Sequence, residues 1–203
     1  MNNNNIGTID EFYGKHGYNI NNFEGYSAQC FLEKEFLKYL VLSKIDQPTL
    51  NILEIGFNAG HSSDIFLSSH PTCKVVSFDI LCHDYLAIGK KYIDSKYPKR
   101  HMLIIGDSRV TIPTYESNIK FDIIFIDGGH EDDVPEKDLR NCQRLSHPDS
   151  IIVMNDVKHN HINGFNIMPS KAWKDLIDEG LISEIDHHDF SNSHGLAYGK
   201  YRF

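Results

Sequence analysis

The chain alternates between short, continuous apolar runs and segments whose apolar residues recur every three or four positions. Within residues 27–42, Phe31, Leu32, Phe36, Leu37, Leu40 and Val41 follow helical spacing, and Pro48 closes the link to the next element. Residues 51–55 (NILEI) predict a strand and 61–69 (HSSDIFLSS) a helix. The pairing then repeats. Strand 74–80 precedes helix 84–97, and strand 101–107 precedes a short helix or turn near 109–115. Strand 121–127 precedes a helix from about 134 to 145, and strand 150–156 leads through a loop to a helix near 170–179. Two last runs, 181–188 and 195–203, are joined by a turn-rich Ser-Asn-Ser-His-Gly and predict an antiparallel pair.

Strands that alternate with helices imply a parallel sheet covered by helices on both faces. The strands here are apolar throughout rather than alternating, as burial on both faces requires. The expected fold is therefore α/β: Rossmann-like, doubly wound, with a mostly parallel seven-stranded sheet and an antiparallel C-terminal hairpin. Residues 1–25 are polar, rich in Asn and Gly and dotted with aromatics, which predicts a flexible N-terminal arm or lid with a disordered Asn-run tip. Residues 26–203 form a single domain.

Composition narrows the function. The formal net charge of −8 argues against a nucleic-acid or anionic-membrane surface, because phosphates call for clustered Lys and Arg. No C-x-x-C pair joins Cys30, Cys73, Cys82 and Cys142, so they are expected as free thiols of a reducing compartment. No secretory signal is legible at the N-terminus, and no stretch approaches the ~18 apolar residues of a membrane span. A cytoplasmic enzyme or binding protein is the expectation.

Open α/β sheets bind ligands at the carboxyl ends of their strands. After the first strand comes Glu54-Ile-Gly-Phe-Asn-Ala-Gly60, in which Gly56 permits a tight turn and Gly60 a close helix start. The dinucleotide fingerprint G-x-G-x-x-G lacks its middle glycine here, where Phe57 and Asn58 stand instead. A cationic amine suits Glu54 better than a pyrophosphate does. Asp79 ends the second strand, 23 residues beyond Gly56, near the roughly 20-residue spacing at which an acid takes ribose hydroxyls. Asp107 and Ser108 follow the third strand, where Asp107 either accepts from the amine of a base or caps the next helix.

The fourth strand discharges into an unusual run, FDIIFIDGGHEDD (121–133). Asp133 with Pro135 and Glu136 reads as a helix cap, which leaves Asp127, Gly128, Gly129 and His130 unexplained. Asn155 and Asp156 end the fifth strand, an expected neighbour of the fourth, so Asp127 and Asp156 converge on one crevice. Two carboxylates and an amide oxygen are hard ligands that suit Mg²⁺. The alternative is that both acids are simply solvated.

The motifs EIGFNAGHSS, FDI, IIGDS, FIDGGHEDDVPEKDL and IIVMNDV, spanning about residues 50–157, resemble the class I S-adenosylmethionine-dependent methyltransferases. More narrowly, they resemble the small O-methyltransferases of the macrocin type. The resemblance implies that Glu54, Gly56 and Gly60 surround the methionine part of the cofactor, and that Asn58 and Asp127 also belong to the cofactor-binding set. Asp79 then takes the ribose, and Asp107 and Ser108 lie at the adenine. In metal-dependent relatives the positions of Asp127, Asn155 and Asp156 hold a divalent ion, here Mg²⁺, and the position of His130 is a general base. Two departures stand out: Asp132 replaces a frequent aromatic, and the neutral Asn155 replaces a frequent acid.

The resulting expectation is an S-adenosylmethionine-dependent O-methyltransferase acting on a hydroxyl of a small molecule or sugar, Mg²⁺-assisted, with His130 as base. The alternatives are an NAD(P)-dependent oxidoreductase and a non-catalytic cofactor-binding scaffold. No nucleic acid or membrane partner is expected, and homo-oligomer formation stays open. His159 and His161 are read as ordinary loop histidines, His187-His188-Asp189 as a strand end, and Trp173 as core or lid.

Overall fold

A computed structural model describes residues 6–23, 30–191 and 193–203. Seven strands form one sheet: β1 (Asn51–Ile55), β2 (Lys74–Asp79), β3 (His101–Ile105), β4 (Phe121–Ile126), β5 (Ser146–Asn155), β6 (Ile182–Asp189) and β7 (Gly195–Tyr201). Their order is β3-β2-β1-β4-β5-β7-β6, with β1 to β5 parallel and β7 antiparallel to both its neighbours. The expected Rossmann-like, doubly wound sheet and its C-terminal hairpin are what forms.

Among the described residues, besides short 3-10 turns, the α-helices are α1 (Ile9–Lys15), α2 (Phe31–Leu42), α3 (His61–Ser69), α4 (Leu86–Lys96), α5 (Ser108–Thr114), α6 (Val134–Cys142) and α7 (Ile167–Asp178). Strand side chains alternate between two cores, as the two-residue period of a strand dictates. Ile52, Ile123 and Phe125 join Leu37, Phe66 and Tyr92 of α2, α3 and α4. Leu53, Ile124 and Ile126 join Ile112, Leu139 and Trp173 of α5, α6 and α7.

Two boundaries move for local reasons. β5 starts at Ser146 rather than 150, because the register against β4 shifts between Phe121 and Ile123 and accommodates His147-Pro148-Asp149. α7 starts at Ile167 rather than near 170, because Pro169 is tolerated in a first turn, where its missing N–H costs nothing.

The segment expected as an arm carries a packed helix. A capping box between Thr8 and Glu11 starts α1. Tyr13 is fully buried and its hydroxyl donates to the carbonyls of Ala59 (2.9 Å) and Tyr85 (3.1 Å). Asp10 lies 2.8 Å from Nε2 of His61. Residues 6–23 are thus tied to the loop after β1 and the start of α4. The Asn run, residues 24 and 25, and the helix start expected at residues 27–29 lie outside the described residues.

Helix α2 is rotated relative to the expectation. Its buried stripe runs Glu33, Leu37, Leu40 and Val41, while Phe31 and Leu32 face outward. A carboxylate has taken an inward position that apolar patterning would assign to a hydrophobic side chain.

Candidate functional site

The strand order reverses between β1 and β4, and at that point their carboxyl ends open a crevice. The two loops leaving it nearly touch. Gly56 holds φ +90°, and a Cβ on it would lie 1.9 Å from the carbonyl oxygen of Asp127. Only glycine satisfies both the left-handed backbone and this approach. Gly60, at φ +82°, starts α3.

On the β1–β2 side, Glu54 is completely buried. Its carboxylate accepts from the hydroxyls of Ser62 and Ser63, each at 2.5 Å, and from that of Ser77. Burial raises its pKa to about 7, against the pull of these three donors. Glu54 therefore anchors the start of α3 to β1 and β2, below the loop. Asp79 is held in the loop layer, where one carboxylate oxygen accepts from the N–H of Asn58 (2.8 Å) and the other from that of Leu81 (2.7 Å). The 56–60 loop and the 79–81 turn are thereby fastened to each other.

Asp107 realises the capping alternative. It accepts from the backbone N–H of Arg109 at 2.9 Å and from its guanidinium at 2.7 Å. That guanidinium holds the Asp107 carboxyl below the usual range. Arg109 also reaches Asp133 at 3.1 Å. This corrects the capping expected for α6: Asp133 holds the N-cap position without a side-chain cap bond, and Glu136 pairs with Arg140 at 2.8 Å. Pro135 in the first turn suffices to start the helix.

The β4–β5 side gathers unanswered charge. Asp127, His130 and Asp156 each offer a ligand atom within 4.8 Å of the others. Nε2 of His130 lies 3.3 Å from Asp156, and its ring stacks on Phe165 with centroids 5.8 Å apart. Asp156 is buried in a left-handed backbone at φ +57°, and its carbonyl accepts from the amide of Asn166 at 3.1 Å. A strained residue held this way is a common device for aiming a functional side chain. Burial pushes the Asp127 and Asp156 carboxyls above their ordinary range, and Asp127 pushes Asp156 further.

Sequence reasoning missed the third acid of this cluster. Glu33 of α2 is 1 % exposed and its Oε1 has no hydrogen-bond partner among the described residues. Burial, then the charges of Asp127 and Asp156, raise its pKa to about 9. The only available signal was a lone acid at the i−4 position from Leu37, which patterning alone reads as a surface residue. A second missed acid, Asp138 of α6, approaches Gly128 from below, and burial raises it to about 7 against the Ser108 hydroxyl.

A divalent cation fits this set. Asn155 donates its amide to Asp127 at 3.2 Å, leaving its own Oδ1 buried and without a hydrogen-bond partner among the described residues. The carboxylates of Asp127 and Asp156, with the buried Glu33 near them and the amide oxygen of Asn155, form a hard donor set that suits a positive charge.

Of the expected site residues, Asp127, His130, Asn155 and Asp156 come together at β4 and β5. Gly56, Asn58, Gly60 and Asp79 form the facing loop layer, Glu54 lies beneath it, and Asp107 with Ser108 stands at the start of α5. His159 and His187 lie outside this crevice. Trp173 is buried core, and so are the thiols of Cys73 and Cys142. Among the described residues, no helix is long and apolar enough to cross a membrane.

Comparison with known proteins agrees with the topology. A methyltransferase-domain family matches residues 53–157, more than half the chain. No protein of curated function matches the sequence. Among solved structures, the Bacillus cereus O-methyltransferase in complex with S-adenosylhomocysteine shares 20% identity at a TM-score of 0.72, covering 96% of this chain and 90% of that one. The Streptomyces achromogenes O-methyltransferase TomG, involved in tomaymycin synthesis and bound to S-adenosylmethionine, shares 14% at 0.70, covering 99% and 91%. The S-adenosylhomocysteine-bound methyltransferase PaMTH1 of Podospora anserina shares 17% at 0.66, covering 97% and 98%. With the matched segment running from β1 to the residue after Asp156, the chain belongs to the methyltransferase-domain family and shares the fold of these S-adenosylmethionine- and S-adenosylhomocysteine-bound enzymes.

Proposed function

We propose that the protein is an O-methyltransferase that transfers a methyl group to a hydroxyl of a small molecule or sugar, with Mg²⁺ and a histidine base. The observation that carries this reading is the cluster of Asp127, His130 and Asp156 beside the Gly56 loop, with the buried Glu33 near enough to feel the charge of both aspartates. An amine-directed enzyme has no need for such a concentration of carboxylates, whereas a hydroxyl must be deprotonated and its oxyanion neutralised.

S-adenosylmethionine supplies an activated methyl on a sulfonium sulfur. Gly56, Asn58, Gly60 and Asp79 line the side on which it would lie, with Asp79 facing the ribose and Asp107 and Ser108 the base. Glu54 acts beneath them by fixing α3. Asp127, Asn155 and Asp156 would hold Mg²⁺, whose chemistry is to lower the pKa of a bound oxygen. His130 takes the proton of the acceptor hydroxyl, and Asp156, at 3.3 Å, stabilises the imidazolium that results. Phe165 stacks on the other side of the ring and limits its rotation. Alignment of acceptor and methyl in this crevice supplies the larger share, roughly 7–11 kcal/mol.

Calorimetric titration with S-adenosylhomocysteine, in Mg²⁺ and then in EDTA, tests the reading. Micromolar binding of S-adenosylhomocysteine, no response to NAD, and a Mg²⁺ signal absent from Asp127→Asn are expected. Silence towards S-adenosylhomocysteine in both conditions would refute it, and heat from NAD would favour an oxidoreductase.

A further inference from the structure

On the far side of the sheet from α2, a second constellation of ligand-bearing side chains lies outside the crevice. His159 sits in the loop after β5, and Glu184 and His187 sit on the edge strand β6. Each offers a ligand atom within 4.8 Å of the other two. Nε2 of His159 lies 3.3 Å from Oε2 of Glu184, and Nδ1 of His187 lies 3.6 Å from Oε1. The two imidazoles stack, with centroids 3.5 Å apart and planes 19° from parallel.

The strand is shaped to allow this. Residues three apart on a regular strand point to opposite faces. Here the register against β7 slips between Glu184, which faces Gly199, and Asp186, which faces Tyr198. Ile185 is the extra residue of a β-bulge, and His187 then faces Ala197. Gly199 and Ala197 are two apart on β7, so Glu184 and His187 share one face. Bulges of this kind re-aim side chains near functional sites. The neighbouring His188 is turned the other way, onto Phe36 (centroids 5.1 Å apart) and Tyr198 (6.0 Å).

A supporting contact completes the arrangement. The buried indole of Trp173 donates from Nε1 to Oε2 of Glu184 at 2.6 Å, fixing the carboxylate from behind. Partners of this type orient metal-ligating carboxylates. All three candidate ligands are partly exposed, so an ion can enter and retain a water.

We propose that His159, Glu184 and His187 form a binding site for a borderline transition-metal ion, Zn²⁺ or its Ni²⁺ and Cu²⁺ analogues, separate from the hard-cation site at Asp127. Two imidazoles and one carboxylate suit such ions and not Mg²⁺. Tetrahedral ligand atoms on Zn²⁺ lie roughly 3.3 Å apart, so small side-chain rotations that splay the stacked rings close the site. The ion would clip the loop that leaves Asp156 to the edge of the sheet, three residues beyond that acid.

The test uses the untagged full chain, stripped of metal, with millimolar Mg²⁺ present to occupy the Asp127 site. Zn²⁺ is titrated by calorimetry and by the emission of Trp173, the single tryptophan of the chain. Saturation at one equivalent with a change in emission is expected. His159→Ala and His187→Ala should each weaken it on the order of tenfold or more. Glu184→Gln keeps an acceptor for the indole and should lose Zn²⁺ affinity without altering the metal-free emission. His188→Ala and Asp127→Asn should bind Zn²⁺ as wild type does, and circular dichroism checks that every variant is folded. No saturable binding would mean a surface ion pair only and overturn the proposal. So would Zn²⁺ affinity unaltered in His187→Ala, or abolished in Asp127→Asn.

Discussion

Two sets of carboxylates, buried or partly buried, flank the switch point of the sheet, and they are treated in opposite ways. Glu54, on the β1–β2 side, receives three serine hydroxyls from its own chain. Glu33, Asp127 and Asp156, on the α2–β4–β5 side, receive one side-chain amide, at Asp127, and one histidine edge, at Asp156, while Glu33 keeps an oxygen with no partner among the described residues. Burying a carboxylate is costly, and a fold that only needed rigidity would satisfy both groups. The difference separates scaffold from working surface: the first charge is answered by the protein, and the second is left for something that arrives.

The largest effect should come from the working side. His130→Ala removes the group expected to take the acceptor proton, and turnover should fall by roughly 10²–10⁴-fold. Affinity for S-adenosylhomocysteine should stay within about twofold of wild type, since His130 stands opposite the Gly56 loop; turnover at the wild-type rate would strip His130 of its role as base. Glu54→Ala should do the reverse. It removes the shared acceptor of Ser62, Ser63 and Ser77 from a closed core and should cost about 3–5 kcal/mol of stability, independent of Mg²⁺. Urea unfolding with and without Mg²⁺ measures this, and a stability loss that Mg²⁺ repairs would erase the distinction between the two groups.

Much of this contrast was legible in the sequence, and its limits are instructive. Apolar runs located the five parallel strands, because continuous apolar strands of a covered sheet are not mistaken for loops, and the turn-rich Ser-Asn-Ser-His-Gly located the hairpin. Asp127, His130, Asn155 and Asp156 were found because each follows a strand end within a few residues, where the topology guarantees convergence. Glu33 was not found, because nothing local distinguishes an inward acid from a solvated one. Its environment is made by residues more than ninety positions away. Asp107 resolved towards capping for the same kind of reason: Arg109 is near in sequence, but only the folded turn shows that its guanidinium closes on Asp107 and Asp133 together. The clustering of His159 with Glu184 and His187 needed the bulge at Ile185, which no periodicity announces.

The last effect, a pH dependence, is the one most specific to the unanswered acids. Glu33 ordinarily titrates at 4.5 and is raised to about 9 in the fold. Between those values the folded chain keeps a proton that the unfolded chain has lost. Stability contributed by this group is therefore full below pH 4.5 and declines as pH rises towards 9. Glu33→Gln imitates the protonated form at every pH and removes the decline, by at most ~1.4 kcal/mol per pH unit. Thermal unfolding at a series of pH values in EDTA should show the two proteins converging near pH 5 and the variant melting higher at pH 8.5. Adding Mg²⁺ should flatten the wild-type profile, because a cation replaces the proton as the partner of the cluster and releases it to solvent. Parallel profiles in EDTA would mean that water already reaches Glu33. The cluster would then be as well answered as Glu54.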